Sequence, residues 1–245
     1  MATLEFPRIK SGVTPTYKNL ISRRMPSPLR IAILASGRGS NFAALLAARE
    51  RGELALEFVL VASDKPDAGA LQLAQMAHVP TAVLDPHDYA ERRDYDFALF
   101  ERIAASKPDL LVLAGFMRII DGDALKPWVG RMINIHPSLL PKYRGLHTHR
   151  RALKADDAEH GASVHYVTAE LDGGPVIAQT ILPIQAGDNE RTLADRLLPL
   201  EHQLLPAVVA LIAAHRLSLD EESTIRLDGE RLRKPLRMQG ENLVR

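Results

Sequence analysis

The chain contains no cysteine. A disulfide scaffold, a thiol nucleophile and any thiolate-bound metal are therefore excluded, and a reducing compartment is compatible with the composition. Long hydrophobic runs are also missing. The longest, LLPAVVALIAA at 204–214, is about eleven residues, too short to cross a bilayer. No basic start followed by a continuous apolar core marks the N-terminus, so no secretory signal is read there. Neither charge is in surplus. The chain has 31 Lys and Arg against 30 Asp and Glu, which leaves no broad nucleic-acid footprint. Internal repeats and low-complexity tracts are absent as well.

What is there suits a globular protein. The 245 residues are 46% hydrophobic and 25% charged, enough for one sizeable α/β domain or at most two small ones. The neutral total hides an asymmetry. Residues 1–29 hold Arg8, Lys10, Lys18, Arg23 and Arg24 against the single acid Glu5, with four prolines and no sustained period. A disordered extension is expected over 1–29. An organelle-targeting peptide is the alternative, since the stretch is basic, acid-poor and carries Ser and Thr.

From Arg30 the texture changes. RIAILA, ALEFVLVAS, TAVL, DLLVLAG and RMINIH read as strands, separated by helix-length segments such as FAALLAARERG, AGALQLAQMAHV and YAERRDYDFALFERIAASK. Apolar strands without polar alternation, joined by helices, predict a doubly wound, mostly parallel α/β sheet covered on both faces. ASVHYV and GPVIAQTILPI then predict a two-strand antiparallel addition at the sheet edge. A long amphipathic helix follows, which Pro199 and Pro206 are expected to kink or divide. The last segment, 217–245, is expected to be a hairpin about Asp228 and Gly229 plus a tail.

Three places carry chemistry. ILASGRGSN joins the first strand to the first helix and offers free amides and a helix N-terminus to a phosphate, with Gly37 and Gly39 allowing close approach and Ser40 and Asn41 as donors. It lacks the third glycine of a dinucleotide fingerprint and the Lys-Ser/Thr of a P-loop. In NIHPSLLP, Asn134 and His136 project from the same face of a strand end, while Ile133 and Ile135 face the other way. Five of the nine histidines, 136, 147, 149, 160 and 165, fall within thirty residues, and Asp172 follows in the turn ELDGGP. An amide, an imidazole and a carboxylate suit acyl transfer: Asn134 to hold an oxyanion, His136 for proton transfer, Asp172 to orient or charge the histidine. Ser138, beside Pro137, makes a poor nucleophile elbow, so the attacking group is expected from a second substrate or water. A metal site built from His136, His147, His149 and Asp172 is the rival, weakened by the lack of an HExxH-type set.

ILASGRGSN, VLAGFMRII, NIHPSLLPKYRGLHTHRRAL and EHGASVHYVTAELDGGPVIAQ resemble the phosphoribosylglycinamide formyltransferases, a branch of the folate-dependent formyltransferase family, from about Arg30 to about Arg216. The resemblance implies a Rossmann-like catalytic domain over 30–216. It implies transfer of a formyl group from 10-formyltetrahydrofolate, a cosubstrate, to the glycine amine of 5-phosphoribosylglycinamide in purine biosynthesis. It makes Asn134, His136 and Asp172 the catalytic trio, with His136 protonating the leaving folate nitrogen. Gly39, Ser40, Asn41 and Glu201 fall on the phosphoribosylglycinamide side. Arg92, Met117, Arg118, Ile119 and Ile120 fall on the folate side, the neighbouring Arg93 leaving the register of Arg92 open. No metal is implied. The partners expected are small molecules, without nucleic acid or membrane, for a cytoplasmic monomer or homodimer. Formyltetrahydrofolate hydrolase is the alternative activity. Its N-terminal regulatory domain, and the C-terminal nucleic-acid domain of methionyl-tRNA formyltransferase, exceed the roughly thirty residues found at either end here. Arg144 departs from a proline frequent in the family, and SDKPDAGALQLA from its usual aromatic-glycine step.

Overall fold

The computed structural model describes residues 27–240 and 242–245. The expected N-terminal extension lies outside the described residues as far as residue 26, while Leu29 already belongs to the first strand. In chain order the elements are β1 (Leu29–Leu34), α1 (Ser40–Glu50), β2 (Leu56–Ser63), α2 (Gly69–Met76), β3 (Thr81–Val83), α3 (Arg92–Ala105), β4 (Leu110–Leu113), α4 (Gly122–Leu125) and β5 (Met132–His136). There follow α5 (Thr148–Lys154), β6 (Glu159–Tyr166), β7 (Val176–Pro183), α6 (Glu190–Ala213), β8 (Leu217–Leu219), β9 (Ile225–Leu227), β10 (Glu230–Arg231), β11 (Leu236–Gln239) and β12 (Asn242–Val244).

The first five strands pair in parallel, as the sequence predicts, and β1 shows why they lack polar alternation. Its Ile31 and Ile33 enter one core with Phe42, Leu45 and the aliphatic face of α6. Its Ala32 and Leu34 enter the opposite core with Tyr95, Leu99 and Trp128. Both faces are covered, so neither can be polar.

Beyond β5 the direction reverses: β6 runs antiparallel to β5, and β7 antiparallel to β6. The sequence placed this pair at the sheet edge, and the structure corrects that. The order is β12-β11-β7-β6-β5-β4-β1-β2-β3, with β11 parallel to β7 and β12 antiparallel to β11. The two outer strands, LRMQ and NLV, are too short and too polar to declare themselves. Strands β8, β9 and β10 form a separate antiparallel sheet, in which β9 and β10 meet at Asp228 and Gly229.

Helix α6 runs unbroken for 24 residues from an Asn189–Thr192 capping box, with Pro199 and Pro206 inside it. The expected division does not occur. Each internal proline costs about 3 kcal/mol, but Leu193, Leu197, Leu204, Leu205, Val208 and Val209 are all buried. At ~1.5–3 kcal/mol per buried side chain, that face outweighs both prolines. By length and composition alone the helix could cross a membrane; these six side chains instead pack in the core beside the sheet.

The sheet also fixes where a site can form. Strand β2 lies on one side of β1 and β4 on the other, so the strand order reverses between β1 and β4. A crevice opens there at the carboxyl ends of the parallel strands. The loops after β1, β4 and β5 all leave at that end.

Candidate active site

Asn134 and His136 leave β5 on one side, as the two-residue period predicts, while Ile133 and Ile135 enter the core. His136 is buried, with 6% exposure. Its Nε2 lies 2.9 Å from the Tyr143 carbonyl oxygen, which only accepts, so Nε2 carries a hydrogen. Its Nδ1 faces Asp172 Oδ2 at 3.4 Å. Both ring nitrogens thus meet oxygens that favour the imidazolium. Burial opposes this and prevails: it holds His136 below the ordinary histidine value, although Asp172 and the Tyr143 carbonyl push upward.

Asp172 sits in a left-handed conformation, φ 47°, which aspartate tolerates better than most residues. Its Oδ2 accepts from the Gly145 amide at 2.8 Å. Its Oδ1 lies 3.5 Å from Asn134 Nδ2 and 3.6 Å from His165 Nε2. Burial raises the Asp172 carboxyl, but His165, His136 and the Gly145 amide together outweigh it and bring the group down to about 2. Asp172 is therefore a carboxylate throughout the neutral range. Its turn needs Gly174, because a Cβ there would lie 1.9 Å from the Tyr166 carbonyl oxygen.

His165 was counted in the sequence but given no role. The β5–β6 register sets it directly opposite Asn134. Its Nδ1 donates to the Tyr166 carbonyl at 2.8 Å, and its Nε2 lies 3.1 Å from Asn134 Nδ2. The Asn134 amide is thereby held with its NH2 toward His165 and Asp172. The Asp172 contact, at 3.5 Å, is at the outer limit of a hydrogen bond, so that hydrogen is the one free to find a better acceptor. The alternation in ASVHYV signals a strand but cannot name its partner.

The other loops complete the crevice. Gly39 caps α1 at φ 78° with no side-chain cap, leaving the first-turn amides open. Asn41 Nδ2 donates to Glu201 Oε2 at 3.0 Å, joining the glycine loop to α6 across 160 positions. Burial raises the Glu201 carboxyl, and Asn41 Oδ1 has no partner among the described residues. After β4, the side chains of Met117 and Ile119 are exposed. Ile120 instead packs against the core, and Arg118 turns its guanidinium over the Tyr95 ring at 4.9 Å. Of the four sequence-predicted wall residues, two offer side chains and two offer backbone only. The amides of Arg118, Ile119 and Ile120 have no hydrogen-bond partner among the described residues. Arg93 pairs with Asp123 at 2.9 Å and Asp121 at 3.8 Å. Arg92 is exposed at the start of α3 and makes no ion pair among the described residues.

The rival metal set is not assembled. His149 Nδ1 lies 3.0 Å from His160 Nε2, while His147 is exposed at the cap of α5. Among the described residues no three His, Asp or Glu are grouped to hold a metal ion. Ser138 is fully buried and donates to the Lys142 carbonyl at 2.7 Å, so its hydroxyl is structural. Arg144 pairs with Glu170 and ties the loop after β5 to the Asp172 turn.

Residues 29–209 match the family described as formyl transferase. The chain is 45% identical over 204 residues to phosphoribosylglycinamide formyltransferase of Escherichia coli K12, covering 83% of this chain and 96% of that protein. It is 40% identical over 205 residues to the trifunctional purine biosynthetic protein adenosine-3 of Drosophila melanogaster, of which it spans only 15%. Among solved structures, phosphoribosylglycinamide formyltransferase from Coxiella burnetii superposes with a TM-score of 0.80 at 45% identity. That match covers 84% of this chain and 96% of that one.

Proposed function

The chain belongs to the formyl transferase family, and from that premise we infer that it transfers a formyl group from 10-formyltetrahydrofolate to the amine of 5-phosphoribosylglycinamide, a step of purine biosynthesis. The observation that carries the reading is the meeting of Asn134, His136 and Asp172 at the carboxyl end of β5, beside a glycine loop with open amides.

The residues fit a folate donor. Three amides at 118–120, unpartnered among the described residues, suit the acceptor atoms of a pterin edge, exposed Met117 and Ile119 supply apolar surface, and Arg92, which makes no ion pair among those residues, suits a carboxylate tail. The donor brings the formyl group and a nitrogen leaving group. On the other side, Gly39, Ser40 and Asn41 offer the helix N-terminus to the substrate phosphate, with Glu201 close by.

Asn134 turns its weakly held N–H from Asp172 to the oxygen that becomes negative as the amine attacks. His136, held neutral by burial with its hydrogen on Nε2, takes at Nδ1 the proton the amine must lose and returns it from there to the departing nitrogen. Asp172 stabilises the imidazolium in between. His165 keeps the amide oriented. The proton balance closes within these residues, and no resident metal enters the reaction. The substrates are small molecules, and the cytoplasm is the compartment assigned.

The test is a folate-product assay with 10-formyltetrahydrofolate, with and without phosphoribosylglycinamide and with no metal added. Product formation should require the amine. Steady deformylation without it would make water the acceptor and the protein a formyltetrahydrofolate hydrolase.

Gly39→Ala probes the phosphate side. A Cβ at Gly39 would lie 2.6 Å from the Ala70 Cα, a backbone atom, at a φ of +78°. The loop must shift, so KM for phosphoribosylglycinamide should rise by roughly tenfold or more while that for folate stays near wild type. Equal KM values would show that the loop does not hold the phosphate.

A further inference from the structure

Beneath the 117–121 segment lies a carboxylate whose burial needs a reason. Asp96 is fully buried on α3, one turn beyond Arg92. Its Oδ2 accepts from the Asp121 amide at 2.7 Å, and its Oδ1 has no partner among the described residues. Tyr95 Oη and Arg118 Nε, its neighbours on α3 and on the segment, also lack hydrogen-bond partners among the described residues. A half-satisfied polar group in a core is poorer for stability than an apolar residue of similar size.

Its position supplies the reason. The near end of the segment is held by Ser36, whose Oγ accepts from the Met117 amide at 3.1 Å. The far end is held by Asp96. Between these two pins run the unpartnered amides of 118–120, and the outward and inward side chains alternate. Asp96 also stands on the helix that carries Arg92, at the i+4 position, which is on the same helix face.

We propose that Asp96 is a positioning residue for the folate donor: it fastens the 117–121 wall to α3, so that the open amides and the Arg92 cation keep one spacing. The proposal rests on the folate reading given above. Burial raises the Asp96 carboxyl while Arg92 and Arg118 both draw it down, which places the carboxylate within electrostatic reach of both arginines.

The experiment measures KM for both substrates, kcat and melting temperature on the full chain. Asp96→Ala should raise KM for 10-formyltetrahydrofolate roughly tenfold, the scale of one lost charge-assisted hydrogen bond, with KM for phosphoribosylglycinamide within about twofold of wild type. Asp96→Asn keeps an acceptor for the Asp121 amide and should recover most of the loss. Asp121→Pro approaches the same bond from the segment: φ at Asp121 is −63°, within proline's range, and the ring replaces the N–H that donates to Asp96. Asp121→Ala keeps that N–H and loses the same α4 cap and Arg93 contact, so the difference between the two isolates the bond. Asp121→Ala should stay near wild type in folate KM, whereas Asp121→Pro should not. The proline variant should reproduce the folate effect even where Asp96→Ala fails to fold. Folate KM values at wild-type level in Asp121→Pro, or both KM values rising together, would overturn the proposal. An inactive wild-type enzyme would instead refute the folate reading itself.

Discussion

His136→Ala should lower kcat by roughly 10²–10⁴-fold, the range contributed by a positioned proton-transfer group, with both KM values close to wild type. The side chain is buried, donates to the Tyr143 carbonyl and faces Asp172, so its loss also leaves that carbonyl unmet. Melting temperature must therefore be recorded beside the kinetics. Asp172 is brought down to about 2 and stays charged in the variant, now without one of its partners. If the fold survives and kcat is near wild type, His136 moves no proton in the rate-limiting step. A rise in KM alone would make it a binding residue.

Asp172→Asn is expected to be the second most damaging change. The asparagine can still accept from the Gly145 amide, so the turn survives. What disappears is the charge that opposes burial at His136. With that upward push gone, the His136 value must fall further, and the imidazolium formed during turnover loses its counter-ion. Turnover at neutral pH should drop by roughly 10²-fold. The limb of the pH–rate profile that reports His136 should move to lower pH. Asp172 itself titrates far below that limb, since its carboxyl lies at about 2, so its own protonation is not the event observed. The same sign governs stability: a depressed carboxyl contributes above its ordinary value of 3.8, and the contribution is lost as pH falls toward 2. The variant should therefore show a flatter acid-unfolding curve. An unmoved pH profile with lowered turnover would reduce Asp172 to a positional role.

Much of the crevice was legible because it depends on neighbours in the chain. Asn134 and His136 share a face because a strand alternates, and nothing distant can change that. The glycine loop follows a strand and opens a helix, an order visible in ILASGRGSN itself. The likeness of Arg92 and Arg93 was not resolvable there, since both are exposed first-turn arginines. The structure separates them, because Asp121 and Asp123 occupy Arg93 while Arg92 makes no ion pair among the described residues. The four-residue wall was read as one surface, but loop packing sends Ile120 into the core and Arg118 over Tyr95.

The sequence by itself determined the parallel sheet covered on both faces, since apolar runs without polar alternation, separated by helices, must bury both sides. It also determined which amide, imidazole and carboxylate were available. Only the tertiary structure decided what they meet. The β5–β6 register put His165 opposite Asn134, and register is a relation between strands that neither strand encodes alone. The contact of His136 with Tyr143 is to a backbone carbonyl, which every residue has and no sequence marks. The protonation of His136 follows from burial set against one carboxylate and one carbonyl, a balance that depends on how the chain closes over β5. Asp96 is an acid among hydrophobic positions on α3, and its meaning lies 25 positions away, at the amide of Asp121.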